Sequence, residues 1–450
     1  MSSPDRLPVS TALDPAKRQL QRILGMGDLV LLIVGTVIGS GIFLVPATVL
    51  KSVGNSLPLA FLVWIIGGVL SLLGALTYGE LTSMKPEAGG LYIYIRDCFG
   101  PLMGFLFGWT FFFVISTGAV ATLTVAFSTY FQEFVPLTKW PTKLLSIMVI
   151  AVIAIVNVRG TRHSANLQNL TTAIKILALA AMGTALLWFG KAPHPFTVSP
   201  SSLHTTAALL SGIGLAMVSV LWAFEGWQYC TFSAGETLNP QRNFPLAFLA
   251  ATLALIGIYL YANLGYVAAL GSQGVANADR VAATALATIS PTAAKLVTVA
   301  ILVSMFSAAN AVTLTAPRVY YAMAKDGLFF QRLAQVHPRF GTPAFAVVAG
   351  AVWAALLAAS GTFQQLLTYV VFVSWAFYAL AAACVFVYRK RQPDTPRPYR
   401  VPGYPWTPLL FILVVAAFVG NTIVSQPIYA VVGSGIVAAG IPAYLIWRKG

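Results

Sequence analysis

The chain has 450 residues, of which 58% are hydrophobic and 9% are charged, and its formal net charge is +15 at pH 7. So small a charged fraction leaves too little polar surface to coat a water-soluble globule of this size. The composition therefore excludes an ordinary soluble domain and predicts an all-α membrane protein, because helices satisfy their own backbone groups in lipid.

Apolar stretches long enough to cross about 30 Å of hydrocarbon recur twelve times along the chain. The predicted spans are residues 27–50, 58–82, 102–131, 143–158, 168–189, 206–234, 245–270, 293–323, 343–360, 363–388, 406–423 and 427–446. Four regions follow from these boundaries: an N-terminal tail at 1–26, a ten-helix core at 27–388, a basic linker at 389–405, and helices 11 and 12 with the C-terminus at 406–450.

The distribution of basic residues predicts the orientation of the spans. With both termini inside, the cytoplasmic segments hold 20 Lys and Arg residues and the outer segments hold six, while Lys175 lies inside a span. Such an excess is typical of the cytoplasmic side, so we expect both termini to lie there. The charge is dispersed over several loops beside an anionic leaflet, which argues against nucleic-acid binding.

The first span contains Gly39-Ser40-Gly41 near its middle. Each glycine costs a helix about 1 kcal/mol, and its missing side chain lets another group approach the backbone. If the helix unwinds here, the released amide groups can bind a carboxylate, and the half-helix that follows points its positive end at the same spot. Close packing of spans through small residues is the alternative.

The sixth span contains the run Trp222-Ala223-Phe224-Glu225-Gly226 in an apolar segment. An ionised carboxylate at that depth costs at least a few kcal/mol, so an acid within a span predicts a functional site. Two hypotheses remain open for Glu225. It either binds the amino group or cationic side chain of a substrate, directly or through water, or it braces a helix break in a protonated or paired form.

Spans one and six are five apart in a set of twelve. This is the separation expected if spans 1–5 and 6–10 form two inverted repeats. Paired broken helices at equivalent places in the two repeats predict one central site.

Lys175 lies well inside the fifth span. Its amine must be neutral, extend to the inner surface, or meet acceptors within the bundle. In the last case a lysine cation would occupy the place of a coupling cation beside carbonyl groups of the first span. A lysine with a lowered pKa would also be able to carry a proton.

Four runs of residues together resemble the amino acid–polyamine–organocation superfamily, specifically a bacterial form of its L-type amino acid transporter branch. They are Gly39-Ser40-Gly41-Ile42-Phe43, Trp222 to Gln228, Gly235 to Pro245, and Arg318 to Gly327. The resemblance extends over about residues 20 to 445. It implies a LeuT-like fold with a 5+5 inverted repeat and broken helices 1 and 6. The implied activity is sodium-independent amino acid transport by alternating access, usually as obligatory exchange in a bacterial plasma membrane.

The resemblance also implies which residues form the site. Backbone amides of the first-span segment would bind the substrate carboxylate, and backbone carbonyls of the sixth-span segment would bind its α-amino group. These segments contain Ile38, Gly39, Ser40, Gly41 and Ile42, and Trp222, Ala223, Phe224, Glu225 and Gly226. Trp222 matches an aromatic gate, and Lys175 falls near the vacant sodium position. Ser307 and Asn310 would line the same region.

The expected substrates are small neutral L-amino acids. The alternative is a proton-coupled or cationic amino acid or polyamine transporter of the same superfamily. No cofactor or metal is expected, and no covalent heavy-chain partner either, because the outer segment Glu133–Thr142 lacks the cysteine that links such partners. A channel would need a continuous polar lining and an enzyme a coherent catalytic set. The sequence favours neither a channel nor an enzyme.

Overall fold

A computed structural model describes residues 20–193, 196, 202–203, 205–361, 363–425 and 427–447. Regular structure within these ranges is helical, and one isolated β-bridge joins Leu24 to Thr237. The structure therefore confirms the predicted all-α class. Residues 1–19 of the predicted tail and residues 448–450 of the predicted C-terminal region lie outside the described part.

The first half of the chain forms eight α-helices. They are α1 (Met26–Val37), α2 (Gly41–Ser52), α3 (Leu57–Met84), α4 (Leu91–Phe99), α5 (Pro101–Thr110), α6 (Ser116–Phe131), α7 (Lys139–Val158) and α8 (Thr161–Phe189). A single π-helical turn, Phe111–Ile115, joins α5 to α6, so that the two form one span.

The second half contains nine α-helices within the described ranges. They are α9 (Thr206–Ala223), α10 (Pro240–Asn277), α11 (Val281–Ala287), α12 (Pro291–Thr315), α13 (Pro317–Lys325), α14 (Ala344–Ser360), α15 (Phe363–Arg391), α16 (Trp406–Ser425) and α17 (Pro427–Trp447). Two 3₁₀ segments, Trp227–Glu236 and Gln331–Ala334, follow α9 and α13.

Ten helical segments of the described chain are long and apolar enough to cross a membrane, and the bent pair α1–α2 makes an eleventh. The predicted ninth span corresponds to α14, a shorter apolar helix of 17 residues. At 1.5 Å per residue such a helix is about 26 Å long, near the lower limit for crossing the hydrocarbon. The chain is a multi-pass membrane protein.

The interrupted pair α1–α2 lies at the centre of the helix packing. Helix α1 packs against α8, α10 and α12, and α2 packs against α9 and α10. Since every residue of α1 from Leu32 to Val37 is buried, this half of the helix has almost no surface left for lipid. The packing places both interrupted spans side by side.

The predicted basic linker is tied to the core by a buried acid. Arg389 is still part of α15, and it donates two hydrogen bonds of 2.9 and 2.7 Å to the carboxylate of Glu80 at the end of α3. The backbone amide of Val401 donates to the same carboxylate at 2.7 Å. These bonds hold the segment after α15 against the end of α3.

Candidate functional site

The first span is interrupted where its glycines predicted it. Helix α1 ends at Val37, α2 begins at Gly41, and their axes differ by 45°. The amides of Ile38 and Gly39 already donate to carbonyls of α1, at 2.9 and 2.8 Å. These two amides are therefore engaged within the chain.

The next three amides of the same segment are free. Within the described residues, the backbone N–H groups of Ser40, Gly41 and Ile42 have no hydrogen-bond acceptor. They stand at the beginning of α2, where the partial positive charge of the helix is concentrated. This arrangement suits a bound carboxylate.

The sixth span is interrupted at Phe224, Glu225 and Gly226. Helix α9 ends at Ala223 and the 3₁₀ segment begins at Trp227. The carbonyl oxygens of Phe224 and Glu225 accept no hydrogen bond from any described residue. Free carbonyl oxygens attract cations, so this break complements the free amides of the first.

Two glycines let the interrupted segments touch. A Cβ atom on Gly41 would lie 2.5 Å from the Cα atom of Ala223. Gly226 has φ +125°, and a Cβ atom there would lie 2.7 Å from the side chain of Thr36. A larger residue at either position would force the backbones apart.

Both interrupted segments line one small cavity of about 20 Å³. Such a volume is close to that needed for one water molecule. The lining residues are Thr36, Val37, Gly39, Ser40, Gly41, Ala119, Leu123, Trp222, Glu225, Gly226, Tyr229 and Val312. Residues of both breaks therefore lie around a space that holds about one water molecule.

Lys175 is buried in the bundle beside the first break. Its Nζ atom donates to the carbonyl oxygens of Gly35 at 2.5 Å and Ile38 at 2.7 Å. The side chain does not extend to the inner surface. Of the three possibilities left open by the sequence, the structure shows the one in which the amine meets acceptors within the bundle. Both acceptors are carbonyls of the interrupted span.

Two hydroxyl groups that the sequence did not single out also bind the breaks. Ser304 Oγ lies 2.9 Å from the carbonyl oxygen of Ile38 and 3.2 Å from that of Gly39. Tyr259 Oη lies 2.8 Å from the carbonyl oxygen of Ala223 and 3.1 Å from that of Val37. Because a tyrosine has one hydroxyl proton, Tyr259 can donate to only one break at a time.

Ser307 and Asn310 lie on α12 with Ser304, but they form no hydrogen bond with the breaks among the described residues. Thr171 Oγ1 donates to Ser307 Oγ at 2.9 Å, and Asn157 Nδ2 donates to Asn310 Oδ1 at 2.9 Å. They belong to a buried polar cluster that joins α7, α8 and α12. Of the polar positions spaced three residues apart on α12, only Ser304 reaches the first span.

Glu225 uses its two oxygens differently. Oε1 accepts hydrogen bonds from Gln228 Nε2 at 2.9 Å and from Tyr378 Oη at 2.6 Å. Oε2 is buried and has no hydrogen-bond partner within the described chain. One oxygen of the carboxylate thus joins the break to Gln228 and to Tyr378 of α15, and Glu225 is one of the residues that line the cavity.

The two aromatic residues of this run face different surroundings. Trp222 lines the cavity, and its Nε1 donates to Ser40 Oγ at 3.2 Å, which joins the sixth span to the first. Phe224 packs instead against Tyr259 and Trp64, with ring centroids 4.9 and 6.2 Å away. Of these two residues, Trp222 is the one that lines the cavity.

A buried ion pair closes the bundle at the end where α1 begins. Arg318 Nε and Nη2 donate to the carboxylate of Glu236 at 2.6 and 3.0 Å, and Nη2 also donates to Thr161 Oγ1 at 2.8 Å. The amides of Ile23 and Leu24 donate to the Glu236 carbonyl at 2.8 and 2.9 Å. Two of the motifs quoted from the sequence, Gly235 to Pro245 and Arg318 to Gly327, meet here.

The family described as amino acid permease matches residues 24–446, which is nearly the whole chain. The chain belongs to this family. The match confirms the predicted superfamily, which was inferred from the four motif runs. Within the described residues, no group of three His, Cys, Asp or Glu side chains comes together to hold a metal ion.

Three relatives illustrate the similarity. The serine/threonine exchanger of Bacillus subtilis is 30% identical over 436 residues, covering 96% of this chain and 98% of the relative. The large neutral amino acids transporter small subunit 2 of Rattus norvegicus is 29% identical over 436 residues, covering 95% and 81%. The cystine/glutamate transporter of Homo sapiens is 30% identical over 447 residues, covering 96% and 87%. Each is named as a transporter or exchanger, which agrees with the predicted L-type branch.

Proposed function

We propose that the protein exchanges amino acids across a bacterial plasma membrane by alternating access and without sodium. The observation that carries this proposal is that two helix breaks, which line one cavity, carry free backbone groups of opposite kind. Ser40, Gly41 and Ile42 offer free amides, and Phe224 and Glu225 offer free carbonyl oxygens. This is the hydrogen-bonding complement of an α-carboxylate and an α-ammonium group.

The proposed binding mode follows from those groups. The substrate carboxylate binds the amides at the start of α2, where the helix dipole also favours negative charge. The α-ammonium group binds the carbonyl oxygens after α9. Trp222 covers the bound molecule, and Ile38 and Gly39 shape the break without donating their amides to it.

Independence from sodium rests on Lys175. An alkali cation would bind carbonyl oxygens of an unwound segment, and the ammonium group of Lys175 already donates to those of Gly35 and Ile38. Two further carbonyls of the break have hydroxyl groups nearby: Ser304 Oγ lies 3.2 Å from that of Gly39, and Tyr259 Oη lies 3.1 Å from that of Val37. In this proposal Ser307 and Asn310 support the site indirectly, by joining the helices that carry Lys175 and Ser304.

Alternating access is supported by the small size of the cavity. It has room for about one water molecule, so the interrupted helices have to move before an amino acid binds between them. The buried pair of Arg318 and Glu236 closes the cytoplasmic end in this conformation. Opening that end requires the N-terminal segment to separate from Glu236, to which it is hydrogen-bonded.

The proposed topology has twelve spans, with α14 crossing as the ninth, and both termini lie in the cytoplasm. Spans 1–10, residues 27–388, form a 5+5 inverted repeat, with the linker at 389–405 and two further spans at 406–450. The interruptions in spans one and six support the repeat, and the excess of basic residues supports the orientation. The outer segment Glu133–Thr142 has no cysteine, so we propose no covalent heavy chain.

Small neutral amino acids are the proposed substrates, because the cavity is narrow and its walls include Leu123 and Val312. The name of the Bacillus relative, a serine/threonine exchanger, supports small substrates and exchange. A cationic substrate is the second candidate. It is favoured by one observation, the presence of the acid Glu225 among the residues that line the cavity.

Exchange is tested in proteoliposomes. Purified protein in vesicles loaded with unlabelled amino acids should take up labelled amino acid without sodium on either side. Empty vesicles should take up little, because an exchanger needs a substrate for its return step. Uptake that requires a sodium gradient, or no uptake from a panel of the twenty amino acids, would contradict the proposal.

A further inference from the structure

Two of the three cysteines of the chain, Cys98 and Cys384, meet where α4 packs against α15. Cys98 is the last residue but one of α4, and Cys384 lies on α15 two turns before that helix ends. Both are free thiols and both are buried, with exposed fractions of 3% and 0%. Neither residue takes part in the proposed binding mode.

The sulfur atom of each cysteine lies against the backbone of the other helix. Cys98 Sγ lies 3.8 Å from the carbonyl oxygen of Cys384, and Cys384 Sγ lies 3.4 Å from the carbonyl oxygen of Tyr94. Tyr94 precedes Cys98 by one turn, and the side chain of a helical residue covers the turn before it. The two thiol groups are therefore neighbours, and their side chains interact.

The surroundings of Cys98 favour its thiolate form. The interaction with the thiol of Cys384 lowers the pKa of Cys98, and it outweighs burial, which raises that pKa. Tyr388 and Arg391 lower the pKa further, against the opposing charge of Asp97. Arg391 is fixed beside the cysteine, because its Nη1 donates to the carbonyl oxygen of Cys98 at 2.9 Å. Since the thiolate is the reactive form, Cys98 is suited to react first.

Cys98 also lies next to a polar surface from which a small oxidant can approach. Its neighbour Asp97 pairs with Lys85 and Arg96, whose side chains are 25% and 26% exposed. The ends of helices open locally at little cost in free energy, and Cys98 is in the last turn of α4. Local opening of that turn gives a molecule as small as a peroxide access to the thiol.

We infer that a peroxide joins Cys98 and Cys384 in a disulfide that ties α4 to α15 and slows the opening of this end of the bundle. The slowing of exchange rests on the proposed function, whereas the disulfide does not. In the proposed topology this end faces the cytoplasm, where thiols are kept reduced and the disulfides that do form are mostly transient, catalytic or redox-sensing.

The reaction converts two thiols and one hydrogen peroxide into one disulfide and two water molecules. The thiolate of Cys98 attacks one peroxide oxygen, the O–O bond breaks, and the departing hydroxide takes up the proton that the thiol lost. The product is a sulfenic acid on Cys98. The sulfur of Cys384 then attacks the sulfenic sulfur, and the hydroxyl group leaves with the proton of Cys384 as the second water. The sulfur atoms are oxidised and the peroxide oxygens are reduced.

A link between α4 and α15 would restrain the helices that close this end. Tyr92 and Arg96 of α4 both contact the carboxylate of Asp326, which follows α13, and Tyr92 Oη donates to it at 2.7 Å. Helix α13 carries Arg318, whose ion pair with Glu236 has to separate when this end opens. The disulfide would thus connect α15, through α4, to the closing ion pair.

Alkylation of the purified full-length protein tests the disulfide. After treatment with hydrogen peroxide and denaturation, the wild type should be labelled at Cys230 only, and its peptide map should join Cys98 to Cys384. Reduction with dithiothreitol should restore labelling at all three cysteines. Cys98→Ser and Cys384→Ser should form no disulfide within the chain, whereas the control Cys230→Ser should still form it.

Counterflow in proteoliposomes tests the effect on exchange with the same preparations. Oxidised wild type should exchange amino acids at least about fivefold more slowly than reduced wild type, and dithiothreitol should restore the rate. Cys98→Ser should exchange at one rate before and after the peroxide treatment.

Full labelling after oxidation, a disulfide to Cys230, or oxidation of Cys98 to a sulfinic acid alone would overturn the inference. A disulfide that leaves the exchange rate unchanged would overturn the inferred slowing. If the reduced protein exchanges no amino acid at all, the proposed function is rejected instead. The labelling result still decides the disulfide in that case, because it does not depend on transport.

Discussion

Replacing Lys175 by methionine removes every hydrogen-bond donor of this side chain and keeps most of its aliphatic volume. The carbonyl oxygen of Gly35 then has no donor among the described residues, because the amide four positions on, at Gly39, donates to Val37 instead. The carbonyl oxygen of Ile38 keeps Ser304 Oγ at 2.9 Å. One buried carbonyl is therefore orphaned.

The expected free-energy cost follows from the loss of the donor to this one carbonyl oxygen. An orphaned buried acceptor costs about 1–3 kcal/mol. A change of this size alters the population of the closed conformation by about 5- to 150-fold. The variant also no longer buries a polar amine, which offsets part of the loss in overall stability. We therefore expect a large loss of exchange with little change in the thermal stability of the purified protein.

The assay is counterflow of labelled amino acid in sodium-free proteoliposomes, with the amount of inserted protein measured in each preparation. Lys139→Met is the matched control, because Lys139 is an exposed lysine at the start of α7. Wild-type exchange by Lys175→Met would refute the assigned role of the lysine. Sodium-stimulated exchange by this variant would support it further, because a cation would then replace the lost ammonium group.

Gly41→Ala would place a Cβ atom 2.5 Å from the Cα atom of Ala223, and since backbone atoms cannot rotate aside, exchange should be lost. Gly27→Ala, where no atom lies within 4 Å of the new Cβ atom, should transport normally, so equal uptake by both variants would contradict the close contact. Outside the spans, burial raises the pKa of Asp97, but hydrogen bonds from Lys85 and the neighbouring arginine outweigh it and hold the pKa below its usual value. The stability from this group is complete above the unfolded pKa of about 3.9 and is lost as the pH falls through the lower folded value. The melting temperature of Asp97→Asn should therefore fall less steeply than that of the wild type below about pH 4, and parallel curves would show that the ion pairs contribute nothing.

The spans and their interruptions follow from local features of the sequence. Each predicted span is marked by its own hydropathy, and all twelve coincide with helices, although α14 is short. The first break is marked by Gly39 and Gly41, and the second by an acid beside Gly226. The residues of each signal are neighbours in the sequence. The free-energy cost of a glycine in a helix, or of a charge in lipid, depends on the position of that residue alone.

The surroundings of Lys175 could be predicted from the sequence only in part. Its position in an apolar span predicted that it needs acceptors, but three outcomes stayed open because the sequence does not say which carbonyls are near. Only the packing of α8 against α1 brings Nζ to Gly35 and Ile38, 140 and 137 positions away. Helix packing therefore decides whether the lysine side chain extends to the membrane surface or stays buried in the bundle.

Other contributors to the site were decided by tertiary structure alone. Tyr259 reaches Val37 across 222 positions, Ser304 reaches Ile38 across 266, and Tyr378 reaches Glu225 across 153. Among 17 tyrosines in the chain, no local pattern distinguishes those whose hydroxyls face a break. Hydropathy and glycine spacing determine where the chain crosses and unwinds, because those costs are local. Which groups satisfy the unwound backbone depends on long-range packing, which no short stretch of sequence encodes.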